Sequence, residues 1–216
     1  MRWIDVTRPI QEGNPCWPGD VPFKHWPTDV IGVNGSPCNV SAITMSAHFG
    51  THLDTPYHFF ADGYRVQDID LTLLMGPCAV VDLSRIPRGG RVEREDLEPL
   101  LPEGCKRLII KTVGSALMRE AGFQTDFVGV SPEAAQWVYD QGVRVLGMDY
   151  FSIAGFGADS APVHRAFLGG RDAIAIEGVD LTDVAAGAYE LLCLPMKLVD
   201  AGGAPCRVLL GEEETR

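Results

Sequence analysis

Histidine is scarce in this chain of 216 residues. There are five, and three of them, His48, His52 and His58, fall within the stretch MSAHFGTHLDTPYHFFADG beside Asp54. Gly50, β-branched Thr51 and Pro56 oppose a helix here, so the stretch reads as extended chain. Side chains then alternate, which puts His48, Gly50, His52 and Asp54 on one face and Phe49, Thr51 and Leu53 on the other. At ~3.3 Å per residue, His48 and His52 would stand ~13 Å apart in a fully extended chain, too far to share an ion. Gly50 permits a bend or bulge that draws the rings together, and Pro56 turns the chain so that His58 can return to the same pocket. Two imidazoles and a carboxylate form a zinc-type ligand set that leaves a position for water, and manganese accepts the same donors. The alternative, three hydrogen-bonded histidines near a turn, leaves the spacing and the shared face unexplained.

A second segment, SAPVHRAFLGGRDAIAIEG, carries His164 and Glu177. In a strand through 173–177, Ala173, Ala175 and Glu177 share a face and Ile174 and Ile176 take the other. A carboxylate ending a face of small residues is unusual for a surface strand, although a solvated Glu and a surface His would fit the same residues. Trp17, in CWPGD, either anchors the Pro18-Gly19 turn or faces a ligand. Cys16 has no partner histidine in the pattern and reads as an inert thiol. AGFGADS lacks the third glycine of a dinucleotide fingerprint and reads as a turn. His25, in FKHWP, reads as a surface or pocket-rim residue.

These residues need a scaffold. Short Val- and Ile-rich runs bounded by Gly, Pro or charge predict strands over 78–84, 106–113, 143–149, 172–178 and 206–212. SPEAAQWVYDQG predicts a helix, with Ser131 as N-cap, Pro132 in the first turn and Gly142 just past its end, and Trp137 on its core side. REDLEPLL and DLTDVAAG read as short helices or turns. The first seventy residues are rich in Pro and Gly and lack periodicity, as loops carried by a rigid scaffold do. The class is α/β with more strand than helix.

The length and the 46% hydrophobic content predict one domain over 1–216 with a sizeable core. No run of ~18 apolar residues suggests a membrane span. The start, MRWIDVTRPIQEGN, lacks the apolar region of a secretion signal. Six cysteines without CxxC pairing read as reduced thiols of a cytoplasmic protein. A formal net charge of −11 argues against a nucleic-acid partner, because phosphate contacts need clustered Lys and Arg.

The run from His48 through Gly50-Thr51-His52, Asp54 and Pro56 to His58 resembles the HxGTHxDxPxH motif of the cyclase-like metal-dependent hydrolase family, which includes kynurenine formamidases and isatin hydrolases. The similarity spans nearly the whole chain, from WIDVTRPIQEGNPCWPGDVPF through GVRVLGMDYFS and HRAFL to IAIEGVDLTDVAAGAYELLCLPMKL and APCRVLL. WPGD followed by PF is most similar to the kynurenine formamidase branch. The resemblance implies a swivelling β/β/α fold with a barrel-like mixed sheet and a few helices, assembled as a homodimer. It implies His48, His52 and Asp54 as metal ligands, with His164 and Glu177 completing a second ion position where two are used. It further implies His58 as general acid/base and Trp17 as a wall of the substrate pocket. The implied reaction is hydrolysis of N-formyl-L-kynurenine to L-kynurenine and formate, by water activated on one or two divalent ions, zinc first and manganese second. The alternatives are a relative that opens a cyclic amide, as isatin hydrolases do, another amidohydrolase, and a metal-binding protein without catalysis.

Overall fold

The computed structural model describes residues 1–212. Its strands are β1 (Arg2–Asp5), β2 (Lys24–Asp29), β3 (Val40–Thr44), β4 (His52–Asp54), β5 (Met75–Asp82), β6 (Arg91–Val92), β7 (Arg107–Lys111), β8 (Gly129–Val130), β9 (Val145–Met148), β10 (Ile174–Glu177), β11 (Gly187–Pro195) and β12 (Gly203–Glu212). The α-helices among these residues are α1 (Arg94–Leu97), α2 (Gly114–Leu117), α3 (Pro132–Asp140) and α4 (Ser160–Leu168).

The apolar runs VVD, LII, VLGM and IAI become β5, β7, β9 and β10, which pair in parallel. Strands buried on both faces need such continuous apolar sequence. β11 and β12 continue the sheet antiparallel beyond β5. Closure falls to β4, only three residues long, which pairs antiparallel with β10 on one side and with the start of β12 on the other. The result is a seven-stranded mixed barrel, β4-β12-β11-β5-β7-β9-β10, with β1 added on the far half of β12.

Two apolar layers follow from the alternation. Leu53, Val80, Ile109, Ile174, Ile176 and Val208 fill the barrel. Val81, Leu108, Ile110, Leu146 and Met148 point outwards and pack with Ala134, Val138, Val163 and Phe167 of α3 and α4. Each Val, Leu, Ile, Met or Phe among them contributes roughly 1.5–3 kcal/mol of transfer free energy on burial. The predicted strands all appear, with ends shifted by a few residues, and α3 begins as expected: Ser131 Oγ accepts from Ala134 N and Gly142 follows at φ +92°. DLTDVAAG is a turn, and Trp137 is partly buried beneath the Arg94 guanidinium.

Two features depart from expectation. The first seventy residues hold four strands, including the exposed ribbon β2–β3. α4 was also not legible from pattern, because it carries Pro162 in its first turn. A proline is tolerated there because the first four N–H groups of a helix have no intrahelical acceptor.

Candidate active site

The barrel's closing strand carries the site. Leu53 faces the barrel interior, so the alternation of β4 turns His52 and Asp54 outward. Across the ladder His52 faces Glu177 on β10 and Pro205 on β12, while Asp54 stands between Ala175 and Gly203. Two very small neighbours leave space beside the carboxylate. A Cβ on Gly203 would lie 2.4 Å from His48 Cε1, so the His48 ring occupies the place a side chain would need.

His48 itself is not in strand. It lies in a turn ahead of Gly50, whose φ of +70° makes the bend that the spacing required. Pro56 opens a 3₁₀ turn through His58, which returns that ring to 4.1 Å from His48, centroid to centroid. His164 arrives from α4. Neither His164 nor Glu177 is a surface residue; each is 3% exposed.

The histidine orientations follow from their hydrogen bonds. A carbonyl oxygen only accepts, so His52 Nδ1 donates to Gly50 O at 3.1 Å and His164 Nδ1 to Ser160 O at 2.7 Å. Both Nε2 atoms therefore turn to the carboxylates. His52 Nε2 lies 3.2 Å from Glu177 Oε2 and 3.6 Å from Asp54 Oδ1. His164 Nε2 lies 3.1 Å from Glu177 Oε1 and 3.7 Å from Asp54 Oδ2. The Ile153 amide also donates to Glu177 Oε1 at 2.7 Å. Fixing Nδ1–H on a backbone carbonyl is how a metal-binding imidazole is oriented.

Asp54 gives the test of fit for an ion. Its Oδ1 is buried and lacks a hydrogen bond of acceptable geometry, although His48 Nδ1 is only 2.7 Å away. Atoms that crowd together without pointing at one another suit convergence on a common cation. One ligand atom from each of His52, Asp54 and Glu177 lies within 4.8 Å of the others, and the same holds for His48, Asp54 and His58. Imidazole nitrogens with two carboxylates match the donors zinc prefers.

The charges are strongly coupled. Burial pushes Asp54 up, but the His48, His58 and His52 imidazoles outweigh it and hold the carboxyl well below the usual range. Burial likewise raises Glu177, as does Asp54, yet hydrogen bonds from His164 and His52 bring it below its ordinary value. Burial depresses His52, and its bond to Glu177 with the charge of Asp54 overrides this and lifts it to about 9. His58 goes the other way: burial lowers it, and the neighbouring His48 and His164 add to the effect against the pull of Asp54. His58 Nε2 is 3.9 Å from Asp54 Oδ2, and its side chain is 35% exposed at the cavity mouth.

That cavity, about 300 Å³, is lined by Trp17, Asp20, His48, His52, Asp54, His58, Phe59, Phe151, Ser152, Ser160, His164 and Glu177. All seven residues singled out for a site from the sequence meet here. Trp17 is held by an edge contact to Phe123 and a tilted one to Phe156, and Phe59 stacks on His164. Cys16 sits near the backbone of Asp20 and His25 lies on the exposed ribbon. Asp20, Phe59, Phe151, Ser152 and Ser160 were not singled out. For Asp20 a signal existed: Pro18-Gly19 suits a type II turn, which brings its first and fourth residues together. The Ser and Phe residues carry no such signal.

Residues 4–154 match the family model described as putative cyclase. A Geobacillus thermodenitrificans protein named kynurenine formamidase is 37% identical over 209 residues, covering 96% of each chain. A Bacillus stearothermophilus structure described as a predicted metal-dependent hydrolase superposes with a TM-score of 0.81 at 32% identity, covering 97% of each chain. Isatin hydrolase A from Ralstonia solanacearum shares the fold, with a TM-score of 0.83 at 20% identity over 98% of this chain and 92% of its own.

Proposed function

The chain belongs to the putative cyclase family and is a metal-dependent amide hydrolase, and from this premise we propose that it hydrolyses N-formyl-L-kynurenine to L-kynurenine and formate. The observation that carries the reading is the pair of buried imidazoles, His52 and His164, tied back through Nδ1 and aimed through Nε2 at two shared carboxylates. The near full-length similarity to kynurenine formamidases supports the substrate.

In this reading His48, His52 and Asp54 hold one divalent ion, with His164 and Glu177 serving a second position. Zinc suits the donors and manganese is the next choice. When bound, such an ion supplies a polarised amide carbonyl and an acidified water. The rest falls to the chain. Burial and the neighbouring histidines hold the His58 imidazole below its ordinary value, which favours the form that takes a proton from the attacking water. The ring returns that proton to the leaving aniline nitrogen, help typically worth ~10²–10⁴-fold. Trp17 offers its indole face to the aryl ring, a contact worth ~0.5–1.5 kcal/mol beyond burial.

The reading extends to a cytoplasmic homodimer. The ribbon β2–β3 supports a second copy, because it leaves Trp26 46% and Ile43 52% exposed. The six free cysteines fit a reducing compartment. No helix among the described residues is long and apolar enough to cross a membrane.

The test is formate and kynurenine release from N-formyl-L-kynurenine by metal-replete protein, run beside a chelated sample. Fast, chelator-sensitive release is expected. Metal-replete protein that releases neither would refute the substrate, and cyclic amides such as isatin would then be tried.

A further inference from the structure

The proposed reaction uses six polar side chains of the cavity and leaves one carboxylate, Asp20, without a task. Asp20 closes the turn that starts at Trp17: its N–H donates to Trp17 O at 3.0 Å, with Pro18 second and Gly19 third at φ +97°. A type II turn requires that left-handed third position and brings residues one and four side by side. Trp17 and Asp20 therefore enter the cavity together, as an aromatic face beside an anion.

The carboxylate is anchored but not consumed. Ser46 Oγ donates to Asp20 Oδ2 at 2.9 Å and also accepts from His48 N at 3.2 Å. No Lys or Arg is found among the described residues that line the cavity, and Asp54 and Glu177 are engaged with the histidines. Asp20 is thus the lining carboxylate that remains open to a cation, on the same wall as the aromatic face.

Building on the formamidase reading, we propose that Asp20 binds the α-ammonium group of the substrate, so that the enzyme selects aryl amides that carry an ammonium group over those that lack one. Trp17 holds the ring and Asp20 accepts from the ammonium. A half-buried carboxylate paired with an ammonium gives a charge-assisted hydrogen bond, stronger than a neutral one. An aryl amide without the ammonium loses only that contact.

Asp20→Asn separates this role from simple support of the histidine loop, because its amide oxygen still accepts from Ser46 while the charge is gone. kcat/KM is measured for N-formyl-L-kynurenine and for its deamino analogue, with hydrogen in place of the α-ammonium, on metal-replete wild-type and Asp20→Asn protein. The expected result is a wild-type preference for the ammonium substrate, and a ratio of the two values that falls about 10–100-fold in the variant, the range of one charge-assisted hydrogen bond. An unchanged ratio overturns the proposal, including the case where both rates fall together and Asp20 acts only through Ser46 on His48. Should wild-type protein cleave neither compound, the formamidase reading fails, and calorimetric binding of L-kynurenine against its deamino analogue reads Asp20 separately. A wild-type preference lost in Asp20→Asn then upholds the role, and equal affinities overturn it.

Discussion

Glu177 stands directly across the β10–β4 ladder from His52, and its Oε2 lies 3.2 Å from His52 Nε2. The same carboxylate receives His164 Nε2 and the Ile153 amide on its other oxygen. One side chain therefore links the closing strand of the barrel, the helix packed outside it and the loop after β9.

Glu177→Gln keeps the shape and removes the charge. As a proposed ligand it should weaken divalent-metal affinity by more than the ~10–100-fold typical of an outer-shell partner. Titration of chelated protein with zinc, read by calorimetry, checks this. Wild-type affinity in the variant would exclude Glu177 from the ligand set.

His58→Ala should leave metal content near that of the wild type and lower kcat by ~10²–10⁴-fold. Because the His58 imidazole is depressed below its ordinary value of 6.5, the acidic limb of the kcat/KM profile should fall below that pH. Metal analysis and a pH-rate profile are the measurements. A variant that loses its metal would make His58 a ligand, and unchanged turnover would remove it from the mechanism.

Metal-free protein should lose stability as the solution becomes alkaline. His52 is raised in the folded state from 6.5 to about 9, so its contribution is complete below about 6.5 and disappears as pH rises through about 9. Asp54 and Glu177 are depressed, so theirs is present above the ordinary carboxylate range of ~4 and lost in acid. Thermal melts of chelated protein from pH 6 to 10 should show a falling Tm. A bound ion displaces the His52 proton, so loaded protein should not show that limb. A flat Tm in the chelated series would contradict the coupling.

Gly203→Ala places a methyl where the His48 ring lies. The ring must move, and the carbonyl oxygen of Leu53, 2.8 Å from the same point, must give way as well. Overpacking of this kind costs ~1–3 kcal/mol. The larger effect should be loss of metal affinity together with activity. Circular dichroism tests whether the fold survives, and zinc titration tests the site. Full affinity in a folded variant would show that His48 does not need this seat.

The sequence by itself determined what depends on neighbours along the chain. The His48–His58 run, its bend at Gly50 and return at Pro56, the Trp17–Asp20 turn and the capped helix α3 all rest on local backbone preference. The apolar runs likewise announced the barrel strands. What the tertiary structure decided is which distant elements meet. An alternating or continuous apolar pattern says that a segment is a strand, but not which strand it pairs with or in what register. The three-residue β4 is too short to announce itself, yet pairing with both β10 and β12 closes the barrel and sets Glu177 opposite His52 and Gly203 opposite Asp54. The sequence named Glu177 and His164 as candidates, but their burial beside Asp54 required that closure and the packing of α4 on the outer face. Asp20 shows the same division: its turn is local, whereas its place beside Ser46 and the cavity comes from the folded chain.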